Sequence, residues 1–586
     1  MLQEYQLTNF KAFAGPETIP IKPITLIYGP NSSGKSSILQ SLLLLKQTLQ
    51  EAESTETLLL PQGTFTNLGS YREFIHRHDI SQPFSFKVLF NTELQEALIP
   101  VDSLLAEQVE SSDETLLLGL RIAFAYDEEA LNAVFSAVEV FVGNESSPAF
   151  VYKPEKNSDT ALKLDQINPN HSLWQAWWEK HKNSITKNFR KQVIDCLKQL
   201  KDAYPLSVVE KITAKTGKNK LKESLQKASA YLKEQQLQME KEKEEDNKNN
   251  QENEEKEDQE YEEVSGRRDE IIELQRLWER FDKYTLDKAV EDFSKVIQYS
   301  SSVSLRNFLP IGIEGIYLEE PPLEINYLSK VYGGLGTAAY IWELTEPVCF
   351  LLQKFLVNTV YIGPLRDYPE RLYVLSNNSS QQVGQSGKLV PELLYKNSTL
   401  LQKVNQQLEK LELEYKLKIT SFIDQDNNQP SEIFALRLEK KNTDINVSLL
   451  DVGFGISQVI PVIVQSMFSE NKTILIEQPE IHLHPKLQAE LGDIFIESAL
   501  GEPKNTVILE THSEHLLLRI MRRMRETYDD DLPQNFPSVR PEDVSVLFVE
   551  PYGKSSIVRE MSLNKRGELV KAWPGGFFEQ ELKEIF

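Results

Sequence analysis

Gly29-Pro30-Asn31-Ser32-Ser33-Gly34-Lys35-Ser36 sets two glycines, a lysine and a hydroxyl at the spacing of a phosphate-binding loop, G-x-x-x-x-G-K-[ST]. Glycines let a backbone curl until its N–H groups point at phosphate oxygens. The Lys35 ammonium would neutralise β and γ phosphates, and the Ser36 hydroxyl would ligate Mg²⁺. Candidate nucleotide contacts therefore run through Asn31, Ser32, Ser33, Gly34, Lys35, Ser36 and Ser37. The surroundings agree with this reading. Ile24–Tyr28 is an apolar run that reads as a strand entering the loop, and the apolar run after Ser36 reads as a helix leaving it. A helix N-terminus adds a favourable dipole for an anion.

Three further clusters fit the same chemistry. Thr473-Ile474-Leu475-Ile476-Glu477 is an apolar strand ending in acid, the Walker B arrangement, and a carboxylate there can hold Mg²⁺ directly or through water. Thr511-His512-Ser513 follows the strand Thr506–Glu510, and a histidine at that strand end can reach a γ-phosphate. Asp451-Val452-Gly453-Phe454-Gly455-Ile456-Ser457-Gln458 enters a helix. Gly453, Gly455 and Ser457 would make a second anion site, with Ser457 as N-cap and Pro461 in the first turn, where a missing N–H costs little.

The elements that must position these groups are legible as strand–helix alternation. Strands are expected at Tyr5–Phe10, Ile24–Tyr28, Phe84–Phe90, Leu118–Tyr126 and Val134–Val142, then at Thr359–Ile362, Ile433–Leu438, Ile445–Leu450, Thr473–Glu477, Thr506–Glu510 and Val544–Val549. Helices are expected at Ser36–Leu49, Ser457–Met467, Pro485–Ser498 and Ser513–Arg525. The pattern predicts an α/β fold with a partly parallel mixed sheet. Four segments follow: an N-terminal lobe over 1–165, a helical insertion over 166–300, a C-terminal lobe over 301–540, and strands and tail over 541–586. Within the insertion, residues 233–263 carry 14 acidic and 5 basic side chains and few apolar ones, which predicts a flexible tip between two helices. Trp174, Trp177 and Trp178 share one helix face and are expected in a core.

Composition removes several alternatives. The chain has 586 residues and a net charge of −24, which does not suggest a protein coating nucleic acid through overall charge, although a local basic groove stays open. Two cysteines, Cys196 and Cys349, cannot make a disulfide framework, so a reducing, cytoplasmic compartment is expected. No export segment or membrane span is expected, because the longest apolar stretches are short or broken by Gln353, Lys354 and Asn358.

Tyr5–Phe13 followed by the phosphate loop resembles the opening of ATPases of the SMC, RecF and OLD (overcoming-lysogenisation-defect) group, which are ATP-binding-cassette heads in soluble proteins. Glu477-Gln478-Pro479-Glu480-Ile481-His482-Leu483-His484-Pro485 is similar to the corresponding run of OLD-like members. Tyr361–Arg366, Arg371 and the terminal Trp573-Pro574-Gly575-Gly576-Phe577-Phe578 resemble a bacterial subfamily with a poorly characterised C-terminal domain. The resemblance covers about 1–81 and 357–586. It implies ATP and Mg²⁺ as ligands and a head-to-head dimer, in which the phosphate loop of one subunit and Gly455 and Ser457 of the other touch one nucleotide. It makes His512 a switch histidine. It also implies a partner effector, such as a nuclease encoded nearby, with bacteriophage defence or DNA repair as the setting. Position 478 departs from the pattern: hydrolysing relatives carry a glutamate there to orient water, and the Gln478 amide cannot accept a proton. Either Glu480 substitutes or hydrolysis is slow. A non-hydrolysing ATP-dependent scaffold and a RecF-like repair ATPase are the competing readings.

Overall fold

The computed structural model describes residues 1–99, 115–129, 131–155, 161–203, 218–246, 254–282, 285–315, 323–332, 336–376, 382–423, 429–443 and 445–577. The chain forms two compact units. One comprises Met1–Asn91, Arg121–Ser136 and Phe350–Phe586, and the other Thr92–Leu120 and Ala137–Cys349.

The first unit is built on a six-stranded sheet. Its order is Thr359–Ile362, Thr473–Glu477, Thr506–Glu510, Ile24–Tyr28, Val544–Tyr552 and Ser555–Glu560. All neighbours are parallel except the last pair, which is an antiparallel hairpin. Parallel strands covered by helices are buried on both faces, so they are spelled as unbroken apolar runs rather than alternating ones. Ile24–Tyr28, Thr473–Glu477 and Thr359–Ile362 are buried at every position. This is why four of these strands have the bounds expected from sequence.

Helices Lys35–Glu51, Phe454–Phe468, Pro485–Leu500 and Glu514–Tyr528 flank the sheet's sequence elements. Two of them start on side-chain caps: His484 accepts from the Lys486 N–H before a proline at N1, and Ser513 accepts from the Leu516 N–H at 3.1 Å. The last two helices pack on each other and are laced by ion pairs of Arg519 with Glu490 and Asp493, and of Arg523 with Asp493. A second, antiparallel group pairs Leu2–Thr8 with both Glu17–Pro20 and Phe84–Glu93.

Two expectations are corrected here. The helix after Asp451 starts at Phe454 with Gly453 as N-cap, so Ser457 is not the cap and Pro461 lies inside the helix. Helical geometry begins one turn earlier because the Ile456 N–H already bonds the Gly453 carbonyl at 3.2 Å. Pro461 then lacks the N–H that the Ser457 carbonyl would take in a regular helix.

In the second unit, Phe150–Pro154, Ala161–Ile167, Ser301–Arg306 and Leu309–Gly315 pair antiparallel in chain order. None of these strands is expected from sequence. Helices Ser172–Ala203, Lys218–Asp246, Glu254–Asp282 and Leu286–Ser300 belong to the same unit. Trp174 and Trp177 are buried beside Phe293, as expected of core residues, whereas Trp178 is only half-buried, and the Trp174 indole N–H donates to the Ala149 carbonyl at 2.9 Å. Residues 233–246 and 254–263 belong to two helices that pack on each other, and Leu225, Ala228, Leu232, Val264, Ile271 and Leu274 of these helices are buried. Burial of one apolar stripe by a partner helix offsets the poor hydropathy of the rest. Residues 247–253, the side chains of Leu221 and Phe281, and Phe578 of the terminal motif lie outside the described residues. Cys196 and Cys349 are buried thiols. Among the described residues, no helix is long and apolar enough to cross a membrane.

Candidate functional site

The parallel strands end at one edge, and the site is assembled there. Ile24–Tyr28 runs directly into the loop Gly29–Gly34. Gly29 has φ 148°, and a Cβ on it would lie 2.2 Å from the Val549 carbonyl oxygen. Gly34 has φ 107°, and a Cβ there would lie 2.7 Å from the Ala12 Cβ. These two positions need glycine for both conformation and space.

A cavity of about 600 Å³ opens over this loop. Asn31, Ser32, Gly34, Lys35, Ser36 and Ser37 line it from the loop and the first helical turn. Gln478 and His512, from the ends of two other strands, face the same space. Ser33 is the one predicted loop residue turned inward: it is buried, with its hydroxyl unpartnered. The Lys35 ammonium donates to the carbonyls of Gly29 at 3.0 Å and Pro30 at 2.9 Å. Burial holds it below its ordinary pKa, while Glu510 and Glu480 act in the opposite direction. Burial, then Lys35, lowers the pKa of His512, which favours a neutral ring.

Gln478 adopts φ 47°, left-handed backbone that a glutamine takes only when its surroundings impose it. The Gln478 N–H donates to the Glu510 carbonyl at 2.8 Å, and Arg366 Nη2 donates to the carbonyls of Glu477 at 3.0 Å and Gln478 at 3.3 Å. These bonds hold the turn that presents the amide.

The acids divide by position. Glu477 is buried and accepts from the Tyr361 hydroxyl at 2.9 Å; burial, then the Glu510 charge, pushes its carboxyl up to about 7. Glu480 is buried too, and its carboxylate accepts from the Thr511 hydroxyl and from the His512 N–H, each at 2.7 Å. Neither Glu477 nor Glu480 is among the residues lining the cavity. Glu480 thus braces the strand end that carries His512 rather than facing the phosphate loop beside Gln478.

Three residues that sequence reasoning passed over do line it: Lys11, Ala12 and Glu510. Glu510 ends an apolar strand in acid immediately before Thr511-His512, the same signal that singled out Glu477. Burial raises the carboxyl pKa of Glu510, opposed by a hydrogen bond from the Ser36 hydroxyl and by the Lys35 charge. Gly453, Gly455 and Ser457 are not brought to this cavity. Ser457 instead lines another, of about 560 Å³, with Asp367, Tyr368 and Pro461. Among the described residues, no group of three or more His, Cys, Asp or Glu side chains is placed to hold a metal ion alone.

Comparison with protein families decides the affiliation. The model described as an AAA ATPase domain matches residues 1–317 and 374–517, which together make up most of the chain and include the phosphate loop, Glu477 and His512. The chain belongs to this AAA ATPase domain family. Beyond the AAA ATPase match, residues 539–586 match the model described as a protein of unknown function, DUF3696. No curated protein matches the chain. Among solved structures, this AAA ATPase chain is similar to the Smc head domain of Pyrococcus furiosus, solved with an extended coiled coil bound to the C-terminal domain of ScpA. That match has 11% identity and a TM-score of 0.32, over 100% of this chain and 98% of that one. The Smc head of Pyrococcus yayanosii gives 14% identity and a TM-score of 0.31, over 96% and 98% of the two chains. The SMC head of Thermotoga maritima gives 9% and 0.31, over 96% and 99%. These are remote likenesses.

Proposed function

We propose that this AAA ATPase binds ATP with Mg²⁺ in the cavity over Gly29–Ser36, hydrolyses it slowly, and uses ATP-dependent self-association to control a partner. The observation that carries the reading is the convergence of Lys35, Ser36, Gln478 and His512, from separate segments, on one cavity. Backbone N–H groups of the loop and the Lys35 ammonium, now satisfied by its own loop's carbonyls, would hold the phosphates. A hydroxyl and an acid beside them suit Mg²⁺, which takes few protein ligands and completes its shell with phosphate and water. When bound, Mg²⁺ would neutralise phosphate charge.

Slow turnover follows from the residue types at hand. Gln478 can orient water but cannot take its proton, and Glu480 is engaged by Thr511 and His512. The same facts favour, as a second reading, an ATP-dependent scaffold that does not hydrolyse at all. Phosphate release separates the two. General-base help is typically worth ~10²–10⁴-fold, so Gln478→Glu should raise turnover by at least ~10²-fold over a slow wild type. Brisk wild-type turnover that Gln478→Glu leaves unchanged would contradict the placement.

Self-association is proposed because Gly453–Ser457 does not share the cavity of its own chain. In the head-to-head arrangement implied by the OLD-like resemblance, it serves a nucleotide on a second copy. Gly453 offers the clean test, since it is exposed and a Cβ there meets nothing within 4 Å, whereas Ser457 is buried. Gly453→Arg is expected to bind ATP with wild-type affinity as a monomer and to form no ATP-induced dimer by light scattering. ATP-induced dimers of undiminished stability in this variant would oppose the reading. The partner we propose is an effector such as a nuclease encoded nearby, acting in bacteriophage defence. Co-purification of such a neighbour with the ATP-bound form, and not with the nucleotide-free form, tests this.

A further inference from the structure

Glu510 stands out among the acids at the strand ends. It is only 4% exposed, yet its carboxylate borders the cavity, and its Oε2 has no hydrogen-bond partner. A buried carboxylate oxygen left without a donor is costly and calls for a ligand. Ser36 lines the same cavity. Its hydroxyl is the one a phosphate-binding loop offers to Mg²⁺.

The sheet order explains why Glu510 holds this place. Strand Thr506–Glu510 lies between Thr473–Glu477 and Ile24–Tyr28. Glu477 and Glu510 are register partners, so Glu477 stands one strand further from the phosphate loop. Glu477 is also taken by the Tyr361 hydroxyl and does not line the cavity.

We infer that Glu510, together with Ser36, forms the protein's Mg²⁺-side contact in the nucleotide site, the role that motif reading gives to Glu477. The inference rests on the proposed ATP site. Mg²⁺ held by one or two protein oxygens plus phosphates is its common mode in such sites. Glu477 then acts through position: with Tyr361 and Arg366 it fixes the turn that carries Gln478.

The test is calorimetric titration of the full chain with ATP, once in excess Mg²⁺ and once in EDTA. Wild type is expected to bind Mg·ATP at least ~10-fold tighter than metal-free ATP. Glu510→Gln should shrink that gap to under ~3-fold while binding metal-free ATP as well as or better than wild type, because one negative charge beside the phosphates is gone. Glu477→Gln should keep the gap. Should Glu510→Gln fail to fold, Glu510→Ala is read in the same way. A full gap in the Glu510 variants, or a gap lost only in Glu477→Gln, overturns the inference, as does a wild type that binds ATP without preferring Mg²⁺. A wild type that binds no ATP in either buffer is a different result and defeats the underlying ATP-site reading itself.

Discussion

Lys35→Ala is expected to fold normally and to bind ATP about 10²-fold more weakly than wild type. Charge-assisted hydrogen bonds contribute about 1.5–3 kcal/mol, and each 1.4 kcal/mol is tenfold in affinity. The fold should survive because the ammonium now bonds only the Gly29 and Pro30 carbonyls of its own loop, at a cavity where water can replace it. Equilibrium dialysis with labelled ATP measures the first effect, and circular dichroism checks the second. Unchanged affinity in a folded variant would remove Lys35 from the phosphate site.

Arg366→Ala should act on stability instead. Arg366 is 5% exposed, and its guanidinium stitches the carbonyls of Glu477 and Gln478. Burial lowers its pKa to about 10, and the strongest opposing influence is Glu480. Truncating it leaves Glu480 as a buried carboxylate without that positive neighbour. The guanidinium's two charge-assisted bonds to the Glu477 and Gln478 carbonyls are worth about 1.5–3 kcal/mol each. Scanning calorimetry should show a drop in Tm of roughly 3–7 °C. The double variant with Glu480→Gln should recover part of the loss, since no buried charge then lacks its partner. Additive losses in the double variant would mean that Arg366 stabilises through its two carbonyl bonds alone.

These two residues also show what the sequence can and cannot reveal. Lys35 was legible because its whole setting is contiguous: strand, glycine loop and helix follow one another within about 30 residues, and local spacing dictates local geometry. The buried parallel strands were legible for the same reason, being unbroken apolar runs. Gln478 and His512 could be placed because each directly follows such a strand.

The remainder depends on pairing between distant segments. Glu510 was passed over because an acid at the end of a strand gains meaning only when strand order puts it beside Ser36. Arg366 is anonymous until the turn it stitches is known. Glu480 follows a recognisable motif, yet its hydrogen bonds to Thr511 and His512 come from another strand end. Ser457 and Pro461 misled for a different reason. Both residue types favour helix starts, and tertiary packing began the helix at Phe454 regardless. In the second unit, Ala161–Ile167 alternates only over Leu162–Asp165, with both leucines buried, before its register with Phe150–Pro154 shifts, and so short a run is a weak strand signal on its own.

The most direct test of the account is an experimental structure of the full chain with a non-hydrolysable ATP analogue and Mg²⁺. The account predicts the triphosphate in the cavity over Gly29–Ser36, with the Lys35 ammonium withdrawn from the Gly29 and Pro30 carbonyls and turned to phosphate, and with Gln478 and His512 facing the γ-phosphate. A nucleotide bound elsewhere, or a loop that stays closed on Lys35 at saturating analogue, would contradict it.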